Sequence, residues 1–89
     1  MNYVYFLMMS NHQVYTGSSK NLKQRMATHE SGGVTTTKKY LPIKLLGYET
    51  YVLKSDSARR EKFLKTTEGK RLFLRQYRDI ISALKNKGQ

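Results

Sequence analysis

The run Asn2-Tyr3-Val4-Tyr5-Phe6-Leu7-Met8-Met9 decides how the rest of the chain is read. Successive side chains of an extended backbone point to opposite sides. Tyr3, Tyr5, Leu7 and Met9 therefore share one face, and Val4, Phe6 and Met8 the other. Both faces are apolar and rich in β-formers, which predicts a buried strand. The polar Ser10-Asn11-His12-Gln13 breaks it. Val14-Tyr15-Thr16 is then a second short strand, ended by Gly17, and the short connection predicts an antiparallel hairpin.

Outward from the hairpin, the pattern changes period. Ser18 to Asn21 supplies N-cap candidates for a helix over 22–30, stopped by Ser31-Gly32-Gly33. Residues 34–42 read as a polar, basic loop holding three consecutive threonines and Lys38-Lys39-Tyr40. A third strand is expected over 43–52, with Gly47 as a bulge. Ser55 or Asp56 caps a second helix over 57–65. Thr66-Thr67-Glu68-Gly69 then reads as an interruption before a last, basic helix that starts at 70, has its apolar spacing to 85 and is bounded at 87. Its Leu72, Phe73, Tyr77, Ile80, Ile81 and Leu84 follow helical spacing. The order β-β-α-β-α-α predicts a two-layer α+β domain, a three-stranded antiparallel sheet flanked by helices, with residues 1–89 forming one domain.

Charge bounds the class of partner. Seventeen Lys and Arg face six acids, a net charge of +11 on 89 residues. Such a chain repels itself without an anionic partner, and nucleic acid is the commonest one because neutralised phosphates release counterions. With no cysteine, disulfides and thiolate metal sites are excluded. Residues 1–7 lack the basic start and long apolar stretch of a secretory signal, and no apolar run reaches membrane-spanning length. No membrane partner and a cytoplasmic location are the expectations.

Several polar residues sit where a bland fold does not need them. Leu22, Arg25, Met26 and His29 fall at i, i+3, i+4 and i+7 and share one helix face, which should meet the core. Two readings stand. Arg25 lays its stem on the core and its guanidinium in water, with His29 a satisfied edge histidine; or both line a cleft, with Arg25 aimed at a phosphate. Glu61 lies within Arg59-Arg60-Glu61-Lys62, either as the i, i+4 partner of Lys65 or as a carboxylate for a divalent cation. Tyr5 and Tyr15, on neighbouring strands, are either core residues or a pair meeting on one sheet face.

Taken together these residues resemble the GIY-YIG endonuclease family. Tyr3-Val4-Tyr5 matches the first signature, with Tyr3 where the family has glycine, and Tyr15-Thr16-Gly17 the second. The segment from Gly17 to His29 resembles the family's Arg-x-x-x-His helix. Pro42-Ile43-Lys44-Leu45 resembles the entry to its third strand, and Ala58 to Lys65 its acidic segment. The likeness runs over residues 3–74 and is to the small stand-alone bacterial members. The family's downstream Asn has no assigned counterpart; Gln76 and Asn86 are the amides in that part of the chain.

The resemblance implies a metal-dependent endonuclease that hydrolyses phosphodiesters in DNA, more than in RNA, with low intrinsic sequence specificity. Tyr5, Tyr15, Arg25, His29 and Glu61 would be its catalytic set. Glu61 would hold the single Mg²⁺ or Mn²⁺, Arg25 would neutralise charge on the phosphoryl group, and Tyr15 would activate or position the attacking water. Tyr5 and His29 would orient Tyr15 and the water or share the proton. Lys38, Lys39, Arg59, Arg60, Lys65, Lys70 and Arg71 are expected to contact the nucleic-acid backbone. The alternative is a GIY-YIG fold that binds DNA or RNA without cutting it.

Overall fold

The computed structural model describes residues 1–87. Strands β1 (Asn2–Met8) and β2 (Val14–Ser19) are followed by α1 (Leu22–Glu30) and the short α2 (Thr35–Lys38). Then come β3 (Lys44–Tyr51), α3 (Lys54–Leu64), α4 (Thr67–Gln76) and α5 (Arg78–Lys87). The sheet has the order β2-β1-β3, antiparallel throughout. The α+β class and the three-stranded antiparallel sheet follow the sequence reading.

The central position of β1 follows from its two apolar faces. Val4, Tyr5, Phe6 and Leu7 are all completely buried, so both sides of the strand are covered. Val4, Phe6 and Met8 pack with Leu46, Leu64, Phe73 and Ile81, the face roofed by α3, α4 and α5. The Phe6 and Phe73 rings lie 4.6 Å apart, and Phe73 stacks on Tyr77 at 4.4 Å. Each such aromatic side chain taken from water contributes roughly 1.5–3 kcal/mol. On the other face, Tyr5 meets His29 of α1. Helices therefore lie on both faces of the sheet rather than in one layer.

Several boundaries move. The expected continuous helix from residue 70 is two helices, because Tyr77 leaves helical geometry (φ −104°, ψ 17°) and turns its ring onto Phe6 and Phe73. No Gly or Pro marks this break, and the apolar spacing runs through it. The expected interruption at 66–69 is instead a helix start: Thr66 caps α4, its hydroxyl accepting from the Gly69 N–H at 3.0 Å. Gly69 is helical, and a Cβ there would strike the Phe63 carbonyl, so the glycine permits α4 to leave α3 at close quarters. Helix α3 begins earlier than expected, at Lys54, with Leu53 rather than Ser55 or Asp56 at its N-cap. The loop over 34–42 contains α2. Strand β2 runs on past Gly17 to Ser19. The irregularity expected at Gly47 falls beside it, where Phe6 pairs with Gly47 but Leu7 with Leu45.

Candidate active site

Helix α1 begins at the residue its chemistry predicts. The Asn21 side chain accepts from the Gln24 N–H at 3.1 Å. That start fixes the helix phase and turns Arg25 and His29 toward the sheet. His29 is completely buried, an unusual state for a titratable side chain, and both ring nitrogens are partnered. Nε2 lies 2.7 Å from the Tyr5 hydroxyl, and Nδ1 lies 2.8 Å from the Thr37 hydroxyl of α2. Burial, reinforced by the Arg25 charge, holds the imidazole below its ordinary range.

Arg25, half-buried, donates from Nε to the Tyr5 hydroxyl at 3.4 Å, and this bond, with smaller contributions from Tyr15, favours its charged form. Tyr15 is half-buried, its ring 6.3 Å from Tyr5 and 5.2 Å from His29. Burial pushes the Tyr5 hydroxyl above the usual phenol range; the Arg25 bond opposes this, and Tyr15 and Glu61 reinforce it. Among the described residues no carboxylate is in salt-bridge range of Arg25, so its charge has no acidic partner there.

Glu61 comes from the other face of the sheet. Ser18 of β2 donates to its Oε1 at 2.6 Å, and Lys65 pairs with Oε2 at 3.0 Å. Ser18 is the neighbour of Gly17, which pairs with Tyr5 across the hairpin. The carboxylate is thus held at the β2 edge, and its charge adds slightly to the rise of the Tyr5 hydroxyl. Tyr5, Tyr15, Arg25 and His29 form one cluster, and Glu61 is tied to the adjoining strand β2 through Ser18.

Of the residues quoted in the resemblance, Tyr5, Tyr15, Arg25 and His29 lie together, and Glu61 is held at the adjoining strand by Ser18. Residues 1–77 match the GIY-YIG catalytic domain. The chain is a member of the GIY-YIG family. A UPF0213 protein of Streptococcus agalactiae is 34% identical over 80 residues, covering 86% of this chain and 91% of that one. Another, from Staphylococcus haemolyticus, is 38% identical over 66 residues, 73% of this chain and 80% of that one. The solution NMR structure of a UPF0213 protein from Bacillus halodurans aligns with a TM-score of 0.56 at 28% identity, covering 85% of each chain. The GIY-YIG domain is a nuclease-type fold, and nucleic acid is the partner class it implies.

The basic residues fall into different settings. Lys38 and Lys39 are exposed beside Thr37, and Lys70 and Arg71 are exposed on α4. Arg59 pairs with Asp56 at 3.0 Å. Arg60 grips Glu49 with two bonds, at 3.0 and 3.2 Å, so its guanidinium is committed within the fold. Glu49 also accepts from Tyr51 at 2.7 Å, and burial together with this carboxylate pushes the Tyr51 hydroxyl up to about 12. Lys65 and Lys70 line a groove of about 610 Å³ that has Tyr15 in its wall. A larger, shallower groove between α1 and β3 holds none of the five site residues.

Sequence reasoning missed Thr37, Ser18 and Glu49. Thr37 reaches His29 across a loop that carries no periodic signal. Ser18 reads as a helix cap but lies in β2, where its partner is 43 positions away. Glu49 alternates with Tyr48 and Thr50 as a strand residue should, and nothing local marks its partner Arg60.

Among the described residues no helix is long and apolar enough to cross a membrane.

Proposed function

We propose that this GIY-YIG domain is a metal-dependent endonuclease that hydrolyses DNA phosphodiesters with little sequence preference. The observation that supports the reading is an Arg25 without an acidic partner beside Tyr5 and the half-buried Tyr15, with the Glu61 carboxylate held at the adjoining strand β2 by Ser18.

The roles follow from exposure. Tyr5 is completely buried and bonded to His29 and Arg25, so it positions rather than meets substrate. Tyr15 is half-buried, its ring beside those of Tyr5 and His29, a place from which it can orient an attacking water or take its proton. Arg25 is permanently charged and offers a planar fork of N–H donors to a phosphate. Its charge opposes the negative charge that builds on the phosphoryl oxygens as they are attacked.

The donor set suits a hard cation held lightly. Among the described residues no three His, Asp or Glu gather into a metal cluster. Mg²⁺ commonly takes one or two carboxylates, with water and substrate phosphate completing its shell. Glu61 would hold such an ion, Mg²⁺ or Mn²⁺, once Lys65 swings away, and Ser18 would keep the carboxylate aimed at the β2 edge. A bound divalent cation supplies Lewis-acid stabilisation for the leaving oxygen. Lys70, Arg71, Lys38 and Lys39 bind the backbone on either side without reading sequence.

A binding module that does not cut is the second reading, favoured by the engagement of both Glu61 oxygens by protein groups. Nicking of supercoiled plasmid decides between them, with Mg²⁺ or with EDTA, on wild type, Arg25→Ala and Glu61→Ala. Metal-dependent nicking lost in both variants supports the nuclease. Salt-sensitive binding without cleavage supports the module.

A further inference from the structure

We infer that Thr37 is a positioning residue of this site: its hydroxyl fixes the tautomer of His29, and thereby the polarity that lets the Tyr5 oxygen hold Arg25. The inference rests on the reading of Arg25 as the phosphate-facing group.

Counting hydrogens carries it. An arginine Nε can only donate, and a tyrosine hydroxyl has one hydrogen. If Arg25 Nε donates to the Tyr5 oxygen, the Tyr5 hydrogen must point elsewhere. Its other partner is His29 Nε2, 2.7 Å away, so Nε2 must be bare. A neutral imidazole then carries its hydrogen on Nδ1, which donates to Thr37 Oγ1 at 2.8 Å. The Thr37 hydrogen in turn points to the Val34 carbonyl at 3.5 Å. Every hydrogen from Arg25 to Val34 has an acceptor.

The opposite polarity fails at Tyr5. With Thr37 donating to Nδ1, the ring hydrogen sits on Nε2 and is given to the Tyr5 oxygen. That oxygen then receives two donors, and its own hydrogen has no acceptor in a residue with no solvent exposure. An unmet buried hydroxyl costs about 1–3 kcal/mol. The imidazolium has the same defect, because both ring nitrogens donate. No buried polar side-chain atom is without a partner among the described residues, and of the two polarities the first also gives each bridging hydrogen an acceptor.

Thr37 is well built for the task. It is completely buried, although it belongs to a four-residue helix in a polar loop. Its hydroxyl is the group at Nδ1, the nitrogen that faces away from the site. Anchoring Arg25 through Nε leaves the two terminal nitrogens of its fork for a phosphate. The adjacent Lys38 is exposed, so one turn both fixes the imidazole and presents a charge outward.

The test compares wild type, Thr37→Val and Thr37→Ser. It reads the His29 ring nitrogens and the Arg25 Nε–H by NMR, the thermal midpoint, and kcat and KM for plasmid nicking with Mg²⁺. Wild type and Thr37→Ser should carry hydrogen on Nδ1 with Nε2 bare. Thr37→Val should move the hydrogen to Nε2, shift the Arg25 Nε–H resonance and lower kcat by about tenfold or more, as a misplaced catalytic group does, with KM little changed. Thr37→Ser should restore all three. A wild-type ring protonated on Nε2, or on both nitrogens at pH 7, overturns the inference even if Thr37→Val does not fold. So does a folded Thr37→Val that keeps the Nδ1 hydrogen and wild-type kcat. If wild type cuts nothing, the nuclease reading falls, and the His29 and Arg25 resonances still decide what Thr37 does.

Discussion

The Tyr5 ring lies over the backbone of Gly17, its cross-strand partner, so closely that a Cβ on Gly17 would fall 2.5 Å from the Tyr5 hydroxyl oxygen and 3.0 Å from the Tyr15 ring. The glycine is required by space, and the space is occupied by the hydroxyl that joins Arg25 to His29.

Gly17→Ala should therefore damage the site before it damages the fold. The new methyl must displace the Tyr5 ring or push β2 away from β1, an overpacking cost of about 1–3 kcal/mol. Nicking activity should drop by at least tenfold, as displaced catalytic groups do, while circular dichroism stays native. Retention of full activity in Gly17→Ala would show that the Tyr5 hydroxyl need not sit where it does.

Lys65 and Glu61 supply a test of the metal. Lys65→Ala frees one Glu61 oxygen from its 3.0 Å ion pair at little cost in stability, since exposed pairs contribute about 0.2–1 kcal/mol. The Mg²⁺ concentration for half-maximal nicking should fall in Lys65→Ala. It should rise steeply, or activity should vanish, in Glu61→Gln, which keeps an acceptor for Ser18 but loses the charge. A metal titration unmoved by either variant removes Glu61 from the role of ligand.

The burial of His29 has a consequence for stability. Its folded-state pKa lies below the ordinary 6.5, so between the two values the unfolded chain binds the extra proton and the folded chain does not. The contribution is whole above about pH 6.5 and is lost as pH falls through the folded-state value, at up to about 1.4 kcal/mol per pH unit. Urea unfolding of wild type from pH 8 to pH 5 should show this decline, and His29→Gln should flatten it. An equally steep decline in His29→Gln would assign the effect to other groups.

Basic residues of the same charge should separate into two kinds. Arg60→Ala strands Glu49, which then keeps only its bond from Tyr51, and should cost about 3–5 kcal/mol if the pair behaves as a buried one and less in proportion to its partial exposure. Lys70→Ala and Arg71→Ala should leave stability nearly unchanged, and each should lower the salt dependence of DNA binding by about one unit of slope. Thermal melts and binding at several salt concentrations read both effects. A stable Arg60→Ala with weakened DNA binding would return Arg60 to the nucleic-acid surface.

The amino-acid sequence by itself indicated an anionic partner, most of the elements and the α+β class. The +11 charge marks an anionic partner, and the two apolar faces of residues 2–9 place β1 inside the sheet. The i, i+3, i+4, i+7 spacing of Leu22, Arg25, Met26 and His29 puts them on one face of α1, as periodicity along a single element can show. The order of the motifs led to the family. Tertiary structure decided everything that joins residues with no common period. It brought Ser18 to Glu61, committed Arg60 to Glu49, bent the last helix at Tyr77 and delivered Thr37 to the back of His29. A local pattern reports which side of an element is apolar. It does not report which distant hydroxyl or carboxylate will meet a buried polar group, because that depends on how the elements pack and on where each buried hydrogen finds an acceptor.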